Sequence, residues 1–580
     1  MHLRSLLLLF VVVAALAGLA FWQLREEGEQ RAKLDVALLE GFERGRVTGV
    51  RIDNLERSLQ MRLERTSDGR WQIVDPLDFP ADVAVMEALF SSLETQSLRP
   101  PLVEDISKLR LDPPRVVLEI TETVSGKPRV TRIEIGEVDI GDQYVYTRRD
   151  GVLGRTERAL DTVLERDLPG WRSHLIMDFD ARSVVELTRE GGLPMSGAEA
   201  MPVALSAVLD GEWRSTAPFV AQLDPRQMAT LVGALVMLRA ESFIDAPAPL
   251  EHYGLAQPAA RIAVVDARGV TQAVRFAPEP QGEMWYVTRE DRPYVYRVSP
   301  LGIGLCLPPS EGLVDRSFTR AARAEVTGLA LSYEGGEISF RLDQRTWRVT
   351  GRRDGREVLS EVAADDTLVS QALSVIEQAR VEQLYFDKRM GAEDVRGRIE
   401  LQLGAASLGG SLGAAVRTAD GAEGVLFKRD GDELVTLLSP RVLELVRSEA
   451  SSFQSLLLHK QLEMDTSYIE AKFGAVTRKW ARDEHGHWAR VGMETEAKEF
   501  ARLVDRLLSM RATRMLRRGD DLLVEPLEVQ LATFSGAVIS FVLGRAQVDG
   551  AEAIVYRTGS QYAVVGAELY NALVPLLAGD

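Results

Sequence analysis

Residues 213–224 read WRSTAPFVAQLD and residues 71–82 read WQIVDPLDFPAD, so Trp213, Pro218 and Asp224 recur at identical spacing as Trp71, Pro76 and Asp82. Each stretch is preceded by strand-like alternation, as in Leu59-Gln60-Met61-Arg62-Leu63, and followed by a helical apolar stripe. An Asp immediately before such a stripe is placed to cap the helix, because its carboxylate can accept from the unpaired N–H groups of the first turn. The stripe is Val85, Met86, Leu89, Phe90 and Leu93 in the first copy, and Met228, Leu231, Val232 and Leu235 in the second. Pro225 stands at the first helical position of the second copy, where a missing N–H costs nothing. Beyond each helix comes a Leu-x-x-Pro turn, Leu111 to Pro114 and Leu255 to Pro258, the latter introduced by Tyr253 and Gly254. Strand patterns then return, separated by short Gly- and Asp-rich turns, which predicts antiparallel meanders.

Two further copies are worn but legible. In the third, Trp347 takes the place of the landmark Trp, and Asp366 is the expected cap of a helix bearing Val369, Leu373 and Ile376. In the fourth, Trp488 is the landmark, Thr495 is available as cap, and Phe500, Leu503, Val504, Leu507 and Leu508 form the stripe. Both have lost the Trp-to-Pro spacing. The predicted class is α+β, in tandem repeats of an antiparallel sheet packed with a helix, over 47–180, 181–322, 323–457 and 458–580. The glycine-rich tract from Gly404 to Gly413 lacks the Gly-Lys-Ser/Thr ending of a phosphate loop and reads as strand and flexible turn.

The first 24 residues are expected to form a transmembrane helix. Leu6 to Trp22 carries no charge, His2 and Arg4 precede it, and Glu26 and Glu27 follow. A cleaved signal ending near Gly18-Leu19-Ala20 competes with this reading, but Phe21, Trp22 and Leu24 extend the apolar run and favour an uncleaved anchor in the inner membrane. Either arrangement puts the bulk of the chain outside the cytoplasm. Residues 25–46 are expected to be a juxtamembrane helix or stalk.

With 580 residues and a net charge of -17 spread along the chain, recognition of a nucleic-acid backbone is excluded as a function class, since that needs clustered Lys and Arg. Cys306 is the sole cysteine, so no intrachain disulfide can form, and its apolar neighbours mark it as a small hydrophobe. His485 and His487, beside Glu484, form a close pair but need a third ligand to hold zinc; a solvated hairpin turn accounts for them. His252 has no Ser or Cys nucleophile motif beside it, and helix capping accounts for Asp365 and Asp366. No catalytic, cofactor-binding or metal-ligating residue is expected. The landmark Trp residues have two readings, an indole clamped between sheet and helix or a platform for a sugar ring, and the first is preferred.

Trp213, Pro218, Asp224, Tyr253, Gly254, Leu255 and Pro258, followed by Tyr286-Val287 and Tyr294-Val295-Tyr296, together resemble the bacterial family called domain of unknown function 4340. The first copy follows at Trp71, Pro76, Leu111, Pro114, Tyr144 and Val145, but has Lys108-Leu109-Arg110 where the second has Tyr253-Gly254 before its Leu. Trp347 and Trp488 tie the later copies to it only through internal symmetry. The resemblance implies an envelope protein associated with gliding-motility-type ABC transporters, with a permease among its partners, and supplies no catalytic residue. The expected function is a non-enzymatic, membrane-anchored extracytoplasmic subunit of such a complex. An envelope polysaccharide-binding or glycan-processing protein is the alternative.

Overall fold

A computed structural model describes residues 36–101, 106–193, 201–202, 204–280, 282–417, 421, 423–483, 485–493, 497–516, 523–559 and 561–578. The chain divides into two compact units, one of residues 1–218 and 223–313, the other of 219–222 and 314–580.

The first unit holds two repeats. In the first, Val47–Asn54 (β1), Leu59–Arg65 (β2), Trp71–Asp75 (β3) and Phe79–Pro80 (β4) form a meander. After the helix Val83–Thr95 (α1), Val116–Val124 (β5), Lys127–Val138 (β6), Tyr144–Arg149 (β7) and Val152–Glu157 (β8) form a second. The sheet order is β8-β7-β6-β5-β1-β2-β3-β4, so the meanders join through their first strands, with Ile52 opposite Leu118. Period-two alternation selects the core face: along β2, Leu59, Met61 and Leu63 are buried while Gln60 and Arg62 are exposed. The α1 stripe predicted from spacing is buried on that face, each large apolar side chain contributing about 1.5–3 kcal/mol.

The second repeat uses the same order. Its meanders meet where Leu187 of Val184–Leu193 lies opposite Val264 of Ala260–Asp266. Its helix is Pro225–Val236 (α2), and the short strand after it, Ser242–Ile244, turns back onto the last strand, Val295–Val298.

In the second unit, Leu331 of Gly328–Tyr333 faces Ile399 of Gly397–Leu403, and Val381–Tyr385, which follows the helix Asp366–Glu377 (α3), pairs with Val435–Leu438. The fourth repeat pairs Thr466–Phe473 with Val524–Thr533 and carries the helix Lys498–Leu508 (α4). Its post-helix strand Ser509–Leu516 pairs with the last strand Gln561–Val565, and Leu457–Lys460 adds an outer edge. Four sheet domains thus repeat one strand order.

Several expectations need correction. The class is not α+β: the described chain is mainly antiparallel sheet, because each repeat sets only short helices, none longer than 13 residues, against a sheet of eight or more strands. No helix among the described residues is long and apolar enough to cross a membrane; the segment 6–22, expected to form a transmembrane helix, lies outside those residues. The expected stalk is not one where it is described. Val36–Ala37 pairs with Ser97–Leu98, and Leu38 is fully buried in the first core, because its apolar side chain gains more there than in water. Asp365 caps α3, accepting from the N–H groups of Thr367 and Leu368 at 2.9 and 3.3 Å, while Asp366 is the first helical residue. Thr495 lies outside the described residues, and Ala497 holds the cap position of α4 without a side-chain cap. The glycine tract enters a twelve-residue strand, Ala406–Arg417, where a Cβ on Gly410 would fall 2.5 Å from the Phe427 ring.

Candidate functional site

The signature residues chiefly build structure. Asp82 accepts from the N–H groups of Ala84 and Val85 at 2.9 and 3.2 Å, and Asp224 from those of Arg226 and Gln227 at 2.8 and 3.3 Å. Pro76 and Pro218, at equivalent positions, both follow cis peptide bonds. Leu111 and Leu255 are fully buried, Pro114 and Pro258 are half-buried, and Tyr253 packs edge-on against Tyr286 at 5.0 Å. Gly254 has φ 69°, the left-handed conformation that a β-carbon disfavours, and it ends a short helical turn.

The four landmark tryptophans diverge. Trp213 is buried. Trp488 is 2% exposed, and its indole N–H donates to Glu463 at 2.8 Å. Trp347 is half-buried against the core of its repeat. Trp71 is also half-buried, resting on Phe90 of α1 with ring centres 5.3 Å apart, and it forms one wall of a cleft of about 320 Å³.

That cleft lies wholly within the first unit. Met86 and Phe90 of α1, with Leu175 and Met177, give it an apolar lining. Five arginines and two carboxylates, Glu87 and Asp178, also line it, an excess of three positive charges on an acidic chain. Three of the arginines are neutralised in place. Arg44 donates to Glu94 at 2.8 Å and Glu87 at 2.6 Å; Arg70 bridges Asp68 and Asp178; Arg289 donates to Asp291 at 2.6 Å. The bond from Arg44 holds the Glu94 carboxyl below its usual range. The other two are different. Arg65 donates only to the backbone oxygens of Gly45 and Gly69, at 3.1 and 3.3 Å, and the Arg292 guanidinium stands 5.2 Å over the Phe79 ring. Among the described residues neither makes an ion pair with a carboxylate.

Behind the cleft an aromatic and cationic cluster fixes the turn that carries Arg289 and Arg292. Phe79 meets Phe243 edge-on at 5.6 Å and Tyr294 at 5.2 Å. The Tyr294 hydroxyl donates to the Asp78 carbonyl at 3.2 Å. Arg172, 1% exposed, stands 4.3 Å over Phe243 and donates to Asp245 at 2.6 Å. Burial of this kind strengthens each electrostatic contact and holds the arginine-bearing turn in one position. Sequence spacing gave no sign of Arg65, Arg70, Arg289 or Arg292 as cleft residues, since the lining is drawn from segments more than a hundred residues apart.

The remaining sequence candidates stay separate. His485 and His487 lie in an exposed turn, where both backbone N–H groups donate to Asp483. Glu484 lies outside the described residues. Among the described residues no group of three or more His, Cys, Asp or Glu is placed to hold a metal. His252 is exposed beside Tyr253. Cys306 is fully buried, and burial pushes its thiol up to about 12, so it is not a nucleophile at neutral pH. Near it Arg189, 1% exposed, donates from Nη1 to the Pro308 carbonyl at 2.9 Å, while its Nε and Nη2 have no hydrogen-bond partner among the described residues. Desolvation brings its guanidinium down to about 10.

The family model described as Domain of unknown function (DUF4340) matches residues 71–258 and again residues 213–394, together more than half of the chain. No curated protein matches it.

Proposed function

Taking as premise that this chain belongs to the DUF4340 family, we propose that it is a non-enzymatic extracytoplasmic subunit working with an ABC-type, gliding-motility-like transporter complex in the bacterial envelope. The observation that carries the reading is the reuse of one sheet order four times, with the signature side chains spent on helix caps, turns and cores. Such an array supplies extended surfaces for holding partners. The ionisable groups around the cleft suit the same role, since Arg44, Arg70 and Arg289 are locked to carboxylates rather than poised beside a nucleophile.

Affinity purification in mild detergent is expected to recover a permease and an ATPase. Hydrolysis of an envelope polymer, abolished by one Asp, Glu or His substitution and unaccompanied by any membrane partner, would overturn the proposal. That outcome belongs to the second reading, an envelope polysaccharide-binding or glycan-processing protein. It is favoured by one observation, the half-buried Trp71 in the wall of a cleft.

A further inference from the structure

We propose that the Trp71 cleft is a binding site for a small carboxylate carried on a ring, with the ring against the Trp71 and Phe90 side and the carboxylate received by Arg65 and Arg292. This does not rest on the transporter reading, since the cleft exists whether or not the chain holds a partner.

Three features select that ligand class. The first is size: about 320 Å³ falls at the lower end of small-ligand sites, enough for one ring or two and too small for a folded segment. The second is the wall. Trp71, like Trp347 and unlike the buried Trp213 and Trp488, is only half-buried, and Met86, Phe90, Leu175 and Met177 extend the same apolar lining of its cleft. A flat ring gains both burial and face contact there.

The third feature is charge. Arg65 uses two of its nitrogens on backbone oxygens and Arg292 is held over Phe79, with only a longer-range attraction to Asp291, so among the described residues each brings to the cleft a positive charge with no close carboxylate partner. Guanidinium groups favour carboxylates because their planar N–H donors match the two oxygens. The neighbouring Arg44, Arg70 and Arg289 are already paired, which limits the uncompensated charge to two groups and disfavours a long polyanion. Confinement of Arg292 by the Phe79, Tyr294 and Arg172 cluster means that little ordering remains to be done on binding.

Such a carboxylate ring has two sources, a sugar acid or an aromatic acid, and the test separates them. Full-length protein is titrated calorimetrically with glucuronate, benzoate, glucose and inorganic phosphate. Glucuronate or benzoate is expected to bind at least tenfold more tightly than glucose or phosphate, and whichever binds identifies the source. Arg292→Met and Arg65→Gln should each weaken that binding tenfold or more while the thermal midpoint stays unchanged. Arg65 is exposed, so its variant remains informative if Arg292→Met unfolds. Equal affinity for glucose and glucuronate, phosphate binding as tightly as either acid, no binding by either acid, or undiminished affinity in a folded Arg65→Gln variant would each overturn the proposal.

Discussion

Replacing Arg189 with Met should stabilise the second repeat, although it deletes a fully buried side chain and a hydrogen bond. Burial holds the guanidinium at about 10 against its ordinary 12.5, a depression that corresponds to about 3 kcal/mol of lost stability while the group is charged. The bond from Nη1 to the Pro308 carbonyl offsets part of this, about 1.5–3 kcal/mol for a charged donor. Nε and Nη2 offset none of it, having no acceptor among the described residues. Met keeps the length of the aliphatic stem and removes the buried charge, so the net gain should be up to about 1.5 kcal/mol. Hydrogen exchange along Ala260–Asp266, the strand paired with that of Arg189, reports this directly. Its protected amides should exchange up to about tenfold more slowly in the variant. The sign with pH is fixed as well. A depressed cation destabilises the fold at every pH below its folded value and is relieved only as pH climbs through about 10. The difference between the proteins should therefore be flat from neutral pH downward. Faster exchange in the variant, or a gap that changes between pH 5 and 8, would refute the reasoning and mean that Arg189 is charged and paid for by an anion.

Asp365→Ala should cost about 1 kcal/mol and Asp366→Ala close to nothing, since only Asp365 accepts from the first turn of α3; urea midpoints compare them. Asp224→Ala should likewise lower the midpoint of its repeat by about 1 kcal/mol, through loss of the bonds from Arg226 and Gln227. Glu290 is held at about 2 by hydrogen bonds from Arg261 and Arg275, so its contribution is full above pH 4.5 and is lost as pH falls toward 2. Acid titrations of Glu290→Gln and the unaltered protein should differ at pH 6 and converge near pH 2.

What spacing alone revealed was local. Trp71, Pro76 and Asp82 repeat as Trp213, Pro218 and Asp224 because one segment must end a strand, turn and cap a helix, and each task restricts the residue that can do it. The apolar stripes were legible for the same reason. The misplaced α3 cap shows where such reading ends: Asp365 and Asp366 both suit a first turn, and one step of helical phase decides between them. Leu38 was misread because a few apolar residues in a charged stretch carry no period, and its burial depends on a core built from distant strands. The cleft was invisible for a related reason. Arg65 and Arg292 look like ordinary surface arginines, and only pairing across more than 200 intervening residues brings them to one cavity.

The joining of each sheet through the first strands of its two meanders also has a kinetic side. Leu187 must find Val264, and Ile52 must find Leu118, across a helix and several turns, so the central pairing comes late and its closure is entropically slow. Until then each meander exposes an unpaired apolar strand, and the other repeats offer strands of the same order and direction. The hazard for this chain is therefore exchange between its own repeats, the first half of one closing on the second half of its neighbour. Divergence among the four copies acts against that error, because a mismatched core makes the wrong closure the weaker one.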